Sequence, residues 1–117
     1  RVSPFYLPDH SDPDERKWVF GYHVRLTNGG DVRAQLLTRR WLITDAEGRL
    51  KEVEGEGVVG VQPLIMPGKQ YQYVSGCNLK SELGKMQGYY SMENVENRDP
   101  IQVKIPAFKM TAPVKLN

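Results

Sequence analysis

The sequence is poor in the residue types that most often carry chemistry. Its 117 residues include one cysteine, Cys77, and two histidines, His10 and His23. A single thiol forms no intrachain disulfide and suits a reducing compartment, which points to the cytoplasm. Three such side chains are too few for the recurring zinc-ligand patterns, and no metal site is assigned. Basic runs are also missing. The 16 basic and 14 acidic residues are dispersed, with a formal net charge of +2, so nucleic acid is not expected as a partner. No apolar stretch reaches the roughly 18 residues that span a bilayer, and the N-terminus lacks a signal-peptide pattern. A length of 117 residues suits one domain, 1–117, able to bury a core without metal or disulfide support.

Helical periodicity is absent as well, since no spacing of three and four persists long enough for an amphipathic helix. What replaces it is alternation. In Lys17–Asn28, Trp18, Phe20, Tyr22, Val24 and Leu26 share one parity, the mark of a strand with one buried face. The Asn28-Gly29-Gly30-Asp31 cluster predicts a turn. Val32–Thr44 is rich in β-branched and aromatic residues, and Asp45–Gly48 should turn it back into a short strand over Arg49–Val53. Pro67-Gly68 precedes another alternating segment, with Tyr71, Tyr73, Ser75, Cys77 and Leu79 on one face. Met86–Met92 and Ile101–Ile105 supply two more strands, and Val2–Leu7 reads as an edge strand because of Pro4 and Pro8. Six or seven short strands separated by turns predict an all-β, antiparallel sandwich or barrel.

Four groups of residues are candidates for function. Gly55–Gly60, GEGVVG, fits the dinucleotide-binding pattern, which requires a helix after the glycines to place its N-terminus on the pyrophosphate. Pro63 removes a backbone donor where that helix would propagate, and no acidic residue stands about 20 positions on. The simpler reading of Gly55, Gly57 and Gly60 is a sharp bend or bulge where the chain crosses between sheets. Such a bend also presents backbone N–H groups as an anion nest, to which Arg39 or Arg40 would add charge for a phosphate-containing small molecule. Opposite parity allows only one of the two arginines on the outer face. The acidic segment Asp9–Glu15 offers oxygen ligands for Mg²⁺ or Ca²⁺, but its spacing does not match an EF-hand loop and a solvated loop is expected. His23 and Cys77 are the only nucleophile and base pair, and Cys77 shares parity with Tyr71 and Tyr73, so a buried, inert thiol is expected. Tyr89 and Tyr90 are adjacent in a strand and point to opposite faces; one of them should be exposed or covered by a protein partner. No catalytic constellation or cofactor site emerges, and the domain reads as non-enzymatic.

The run Arg39–Asp45, the segment Glu52–Gly60, Pro67-Gly68 with Tyr71 and Tyr73, then Ser75–Cys77, Met86–Tyr90 and Ile105–Phe108 together resemble the ApaG family. Order and spacing agree over nearly the whole chain. The resemblance implies a fibronectin type III-like β-sandwich of about seven strands, in a small stand-alone bacterial protein of the cytoplasm. It further implies a genetic link to cobalt tolerance and magnesium efflux, and, from similar domains in eukaryotic F-box proteins and a DNA polymerase delta-interacting protein, a protein-interaction role. It supplies no catalytic residues. For the glycine segment it implies nucleotide or pyrophosphate binding as the alternative function.

Overall fold

The computed structural model describes residues 1–113. Eight strands run in the order β1 (Val2–Tyr6), β2 (Trp18–Thr27), β3 (Ala34–Asp45), β4 (Leu50–Glu56), β5 (Leu64–Ile65), β6 (Gln70–Leu79), β7 (Leu83–Asn94) and β8 (Pro100–Thr111). One sheet has the order β1-β2-β6; the other has the order β4-β3-β7-β8, with the short β5 paired to the start of β3. All pairings are antiparallel, and the two sheets face each other as the sandwich that the alternation predicts. Two single 3-10 turns, Pro8–His10 and Pro13–Glu15, carry the acidic segment from β1 to β2.

The buried faces are those that parity selects. Phe20, Tyr22 and Val24 of β2 and Tyr73 and Leu79 of β6 line one side of the core. Trp41 and Ile43 of β3, Met86, Tyr90 and Met92 of β7, and Ile105 and Met110 of β8 line the other. Trp41 is the hub. Its ring centroid lies 5.5 Å from Tyr22, 6.2 Å from Tyr90 and 6.0 Å from Phe108, each edge-on. Such pairs add about 0.5–1.5 kcal/mol each beyond the apolar area they bury.

Two bulges explain where the strands depart from simple alternation. In β3, Ala34 and Leu36 point inward, yet so do Trp41 and Ile43 five and seven residues after Leu36. The register against β7 shifts between Leu36 and Thr38, so Leu37 is the extra residue that resets parity. In β8, Met86 faces Phe108 while Gly88 faces Ile105, which places Pro106 and Ala107 in a second bulge. The segment expected to end at Ile105 therefore continues to Thr111, because β8 is an edge strand and a proline in a bulge forfeits no ladder bond. Likewise β7 begins at Leu83, ahead of the expected Met86. On one flank of the sandwich β1 packs beside β8. On the other, the edges β4 and β6 lie opposite each other without comparable contact.

Candidate functional site

The GEGVVG segment closes β4 with a hairpin of its own. Val58 and Val61 exchange both backbone bonds, Val58 N–H donating to Val61 O at 2.7 Å and Val61 N–H to Val58 O at 3.0 Å. The two residues between them, Val59 and Gly60, have φ of 48° and 77°, the paired positive values of a type I′ turn. Gly57 has φ of 63°, and a Cβ there would collide with the Val61 carbonyl. Its N–H donates at 2.8 Å to the carbonyl of Leu37, the bulged residue of β3, which also accepts the Gln62 side-chain amide at 3.0 Å. Bulge and turn thus form one unit. No helix follows it. The chain continues through Pro63 into β5 and then crosses to the other sheet as β6, so the glycines serve the bend that the sequence suggests.

Arg39 and Arg40 lie on opposite faces of β3. Arg39 shares parity with buried Trp41 and points inward, where its Nη1 donates to the carbonyls of Gly57 at 2.8 Å and Glu56 at 3.1 Å. Its guanidinium rests against the Cα of Gly55, where a Cβ would stand 2.9 Å from Nη1. The structure therefore brings Arg39 and the glycine segment together through carbonyl oxygens, which accept from the cation. Arg40 points outward. It forms an ion pair with Glu52, donates to the Tyr89 hydroxyl at 2.9 Å, and places its guanidinium carbon 5.9 Å from the Tyr89 ring centroid. Arg40 is thereby separated from the glycine turn by the thickness of the sheet.

Tyr89 and Tyr90 divide as adjacent strand residues must. Tyr89 is half-buried on the outer face. Tyr90 is 1% exposed, and its inclusion among the interaction residues is corrected: its ring belongs to the core and its hydroxyl bonds the Tyr73 hydroxyl across the two sheets. Burial, which disfavours phenolate, raises Tyr22 and Tyr73 above their ordinary range and pushes Tyr90 up to about 12. The Cys77 thiol contacts the Met110 sulfur at 3.5 Å, and burial pushes it up to about 11. A thiol so placed is a poor nucleophile at neutral pH. Its proposed base is elsewhere: His23 lies on the outer face of β2, bonded to Gln72 at 2.9 Å. Along Asp9–Glu15, the backbone of Asp12 exchanges hydrogen bonds with the backbone of Lys17, and among the described residues no three His, Cys, Asp or Glu side chains converge to hold a metal ion.

A model of the ApaG domain matches residues 8–94. The chain belongs to the ApaG family. It is 47% identical to Protein ApaG of Escherichia coli over 117 residues, covering 100% of this chain and 93% of that one. To Protein ApaG of Aromatoleum aromaticum it is also 47% identical, over 108 residues, covering 92% of this chain and 84% of the relative. The crystal structure of an ApaA protein from Bordetella pertussis superposes with a TM-score of 0.93 at 45% identity, covering 98% of this chain and 93% of the other. A protein from Archaeoglobus fulgidus, 9% identical with a TM-score of 0.56 and 98% of each chain covered, shares the fold alone.

Within this ApaG domain, three contributors escape sequence reasoning. Leu37 anchors the turn with its carbonyl, a role that any residue type fills and that no side-chain pattern reveals. Glu52 is the ionic partner of Arg40 only because β3 and β4 are paired in a register that sets Leu42 opposite Glu52. Tyr73 meets Tyr90 across the sandwich, and their shared inward parity was the available signal.

Proposed function

We propose that the domain is a non-enzymatic cytoplasmic module that binds another protein through the outer face of its five-stranded sheet, acting in divalent cation (cobalt and magnesium) homeostasis. The observation that carries this reading is the Arg40–Tyr89–Glu52 cluster in the middle of that face. Tyrosine and arginine dominate the residues that contribute most at interfaces, and here a partly exposed pair stands ready, with its rotamers held by mutual contacts. Leu42, Gln87 and Lys104 line a shallow depression beside Tyr89, which adds an apolar floor and polar rim. The test is a quantitative affinity capture from bacterial lysate with wild type and with Arg40→Ala/Tyr89→Ala. A partner retained by wild type and lost by the double variant supports the face; identical captured sets would overturn it.

A second reading, pyrophosphate or dinucleoside polyphosphate binding at Gly55–Gly60, is favoured by one observation. The N–H groups of Val59 and Gly60 have no acceptor among the described residues, and they lie in consecutive positive-φ positions at an exposed tip. Two such donors suit an anion. Amide shifts confined to Gly57–Val61 on adding millimolar pyrophosphate support it, and unmoved turn amides would eliminate it.

A further inference from the structure

The flank on which β4 and β6 face each other opens, at the end of β4 away from the Gly57–Gly60 turn, into a groove of about 470 Å³. Its position follows from topology. The β3–β4 turn brings Arg49, Leu50 and Lys51 to it from one sheet; the end of β6 brings Leu79 and Lys80, and the chain entering β2 brings Arg16 and Lys17, from the other. Five cationic side chains from three segments therefore line one groove, against two carboxylates, Glu15 and Asp45. The whole chain carries only +2, so positive charge is concentrated here.

Much of the local negative charge is already engaged. Asp45 accepts backbone bonds from Glu47 at 3.0 Å and Arg49 at 2.9 Å. Glu47, in the β3–β4 turn, pairs with Arg16 at 3.1 Å, a contact that links the turn to the chain entering β2. Arg16 holds a left-handed backbone, φ 56°, which is unfavourable for any residue with a Cβ, so its place at the mouth is over-determined by the structure around it. Lys17, Arg49, Lys51 and Lys80 have no carboxylate partner among the described residues. An inward-pointing lysine on an edge strand guards against edge-to-edge pairing, and that accounts for Lys51. It does not account for Lys17, Arg49 and Lys80, which come from different segments.

The floor is apolar. Ile43 and Leu79 form its base and Leu50, 66% exposed, stands at its lip. An inorganic ion would leave that lip uncovered, whereas a purely apolar ligand would leave four cations unanswered. Converging lysines are mobile point charges suited to a phosphate dianion, and the volume lies in the range of small-molecule sites. We propose that this groove binds a small organic phosphate monoester, its phosphate among Lys17, Lys51 and Lys80 and its apolar body on Leu50 and Leu79. The site is separate from both surfaces considered above.

The test is an amide-resolved NMR titration of the full chain with phenyl phosphate, and with inorganic phosphate and phenol as its two halves. The expected result is saturable shifts at Lys17, Arg49–Lys51 and Asn78–Lys80, with phenyl phosphate at least about tenfold tighter than either half. Lys51→Gln/Lys80→Gln should weaken binding by about tenfold, and Lys17→Gln/Arg49→Gln, which adds the chain entering β2, should do the same. Absence of saturable shifts in the groove at about 10 mM phenyl phosphate, equal affinity for inorganic phosphate, or binding unchanged in both charge variants would each overturn the proposal. Shifts centred on Val59 and Gly60 instead would place the phosphate at the turn and refute the groove.

Discussion

The Arg39 guanidinium donates to the carbonyl oxygen of Gly57 at 2.8 Å, so the inward-pointing member of the Arg39–Arg40 pair is spent on holding the glycine bend. A second bond from the same Nη1 reaches Glu56. Arg39→Met keeps most of the stem and removes both donors. It should destabilise the fold by about 1.5–3 kcal/mol, the range for hydrogen bonds to charged groups. Arg40→Met, at a side chain 39% exposed, should cost no more than about 1 kcal/mol, as partly exposed ion pairs do. Urea denaturation of both variants measures this, and a larger loss at Arg40 would reverse the assignment of roles.

Gly57 is fixed by two independent constraints, a positive φ and the closeness of the Val61 carbonyl to where a Cβ would stand. Gly57→Ala should therefore lose about 3 kcal/mol or more, beyond the 1–2 kcal/mol of a left-handed backbone alone. Gly60→Ala, with φ of 77° and open space around it, should lose only the backbone part. Comparing the two urea midpoints separates the steric contribution from the conformational one. Equal losses would mean that the turn moves to accommodate the new methyl.

Alternation made the sandwich legible because side-chain period and burial coincide in β2 and β6, from Trp18 to Leu26 and from Tyr71 to Leu79. It failed where one residue breaks the count. Leu37 and the Pro106-Ala107 pair reset parity through bulges that depend on the neighbouring strand, so the Arg39 and Arg40 faces were not assignable from the chain alone. The two-residue β5 is too short to carry a period. Spatial relations were beyond the reach of alternation: Arg40 with Glu52, Tyr73 with Tyr90, and the three cationic segments of the groove are neighbours through pairing and crossover, with no proximity in sequence to announce them.

Alkaline pH should unfold the domain earlier than surface charge alone predicts. Tyr22, Tyr73, Tyr90 and Cys77 all have folded-state values raised by burial, against ordinary values of 10.0 for tyrosine and 9.0 for the thiol. The folded state thus retains protons that the unfolded chain releases, and stability falls as pH rises wherever the native state binds more protons. Their contribution is whole below pH 9.0, begins to fall with Cys77, and falls more steeply above 10.0 as the tyrosines join, through about 11 for Cys77 and about 12 for Tyr90. Urea midpoints between pH 7 and 11 should be level and then decline. Cys77→Ala should remove the earliest part of the decline and leave the steeper part. A midpoint that holds steady to pH 11 would contradict the burial of these groups.

Val59 is a β-branched residue held at φ 48° and 62% exposed, in a turn whose usual occupant is asparagine followed by glycine. Nothing in the core requires it. Val59→Asn relieves the left-handed strain and should raise stability by about 1 kcal/mol, roughly 4 °C in melting temperature for a domain of this size. The same substitution tests the anion-binding reading of the turn. The N–H groups of residues 59 and 60 survive it unchanged, so pyrophosphate binding through the backbone should persist in the variant at near wild-type strength. A partner bound through Arg40 and Tyr89, away from the turn, should be retained by the variant as well. Thermal denaturation with the pyrophosphate titration and affinity capture, run on one variant, reads all three outcomes; a lower melting temperature would show that the turn is not strained at Val59.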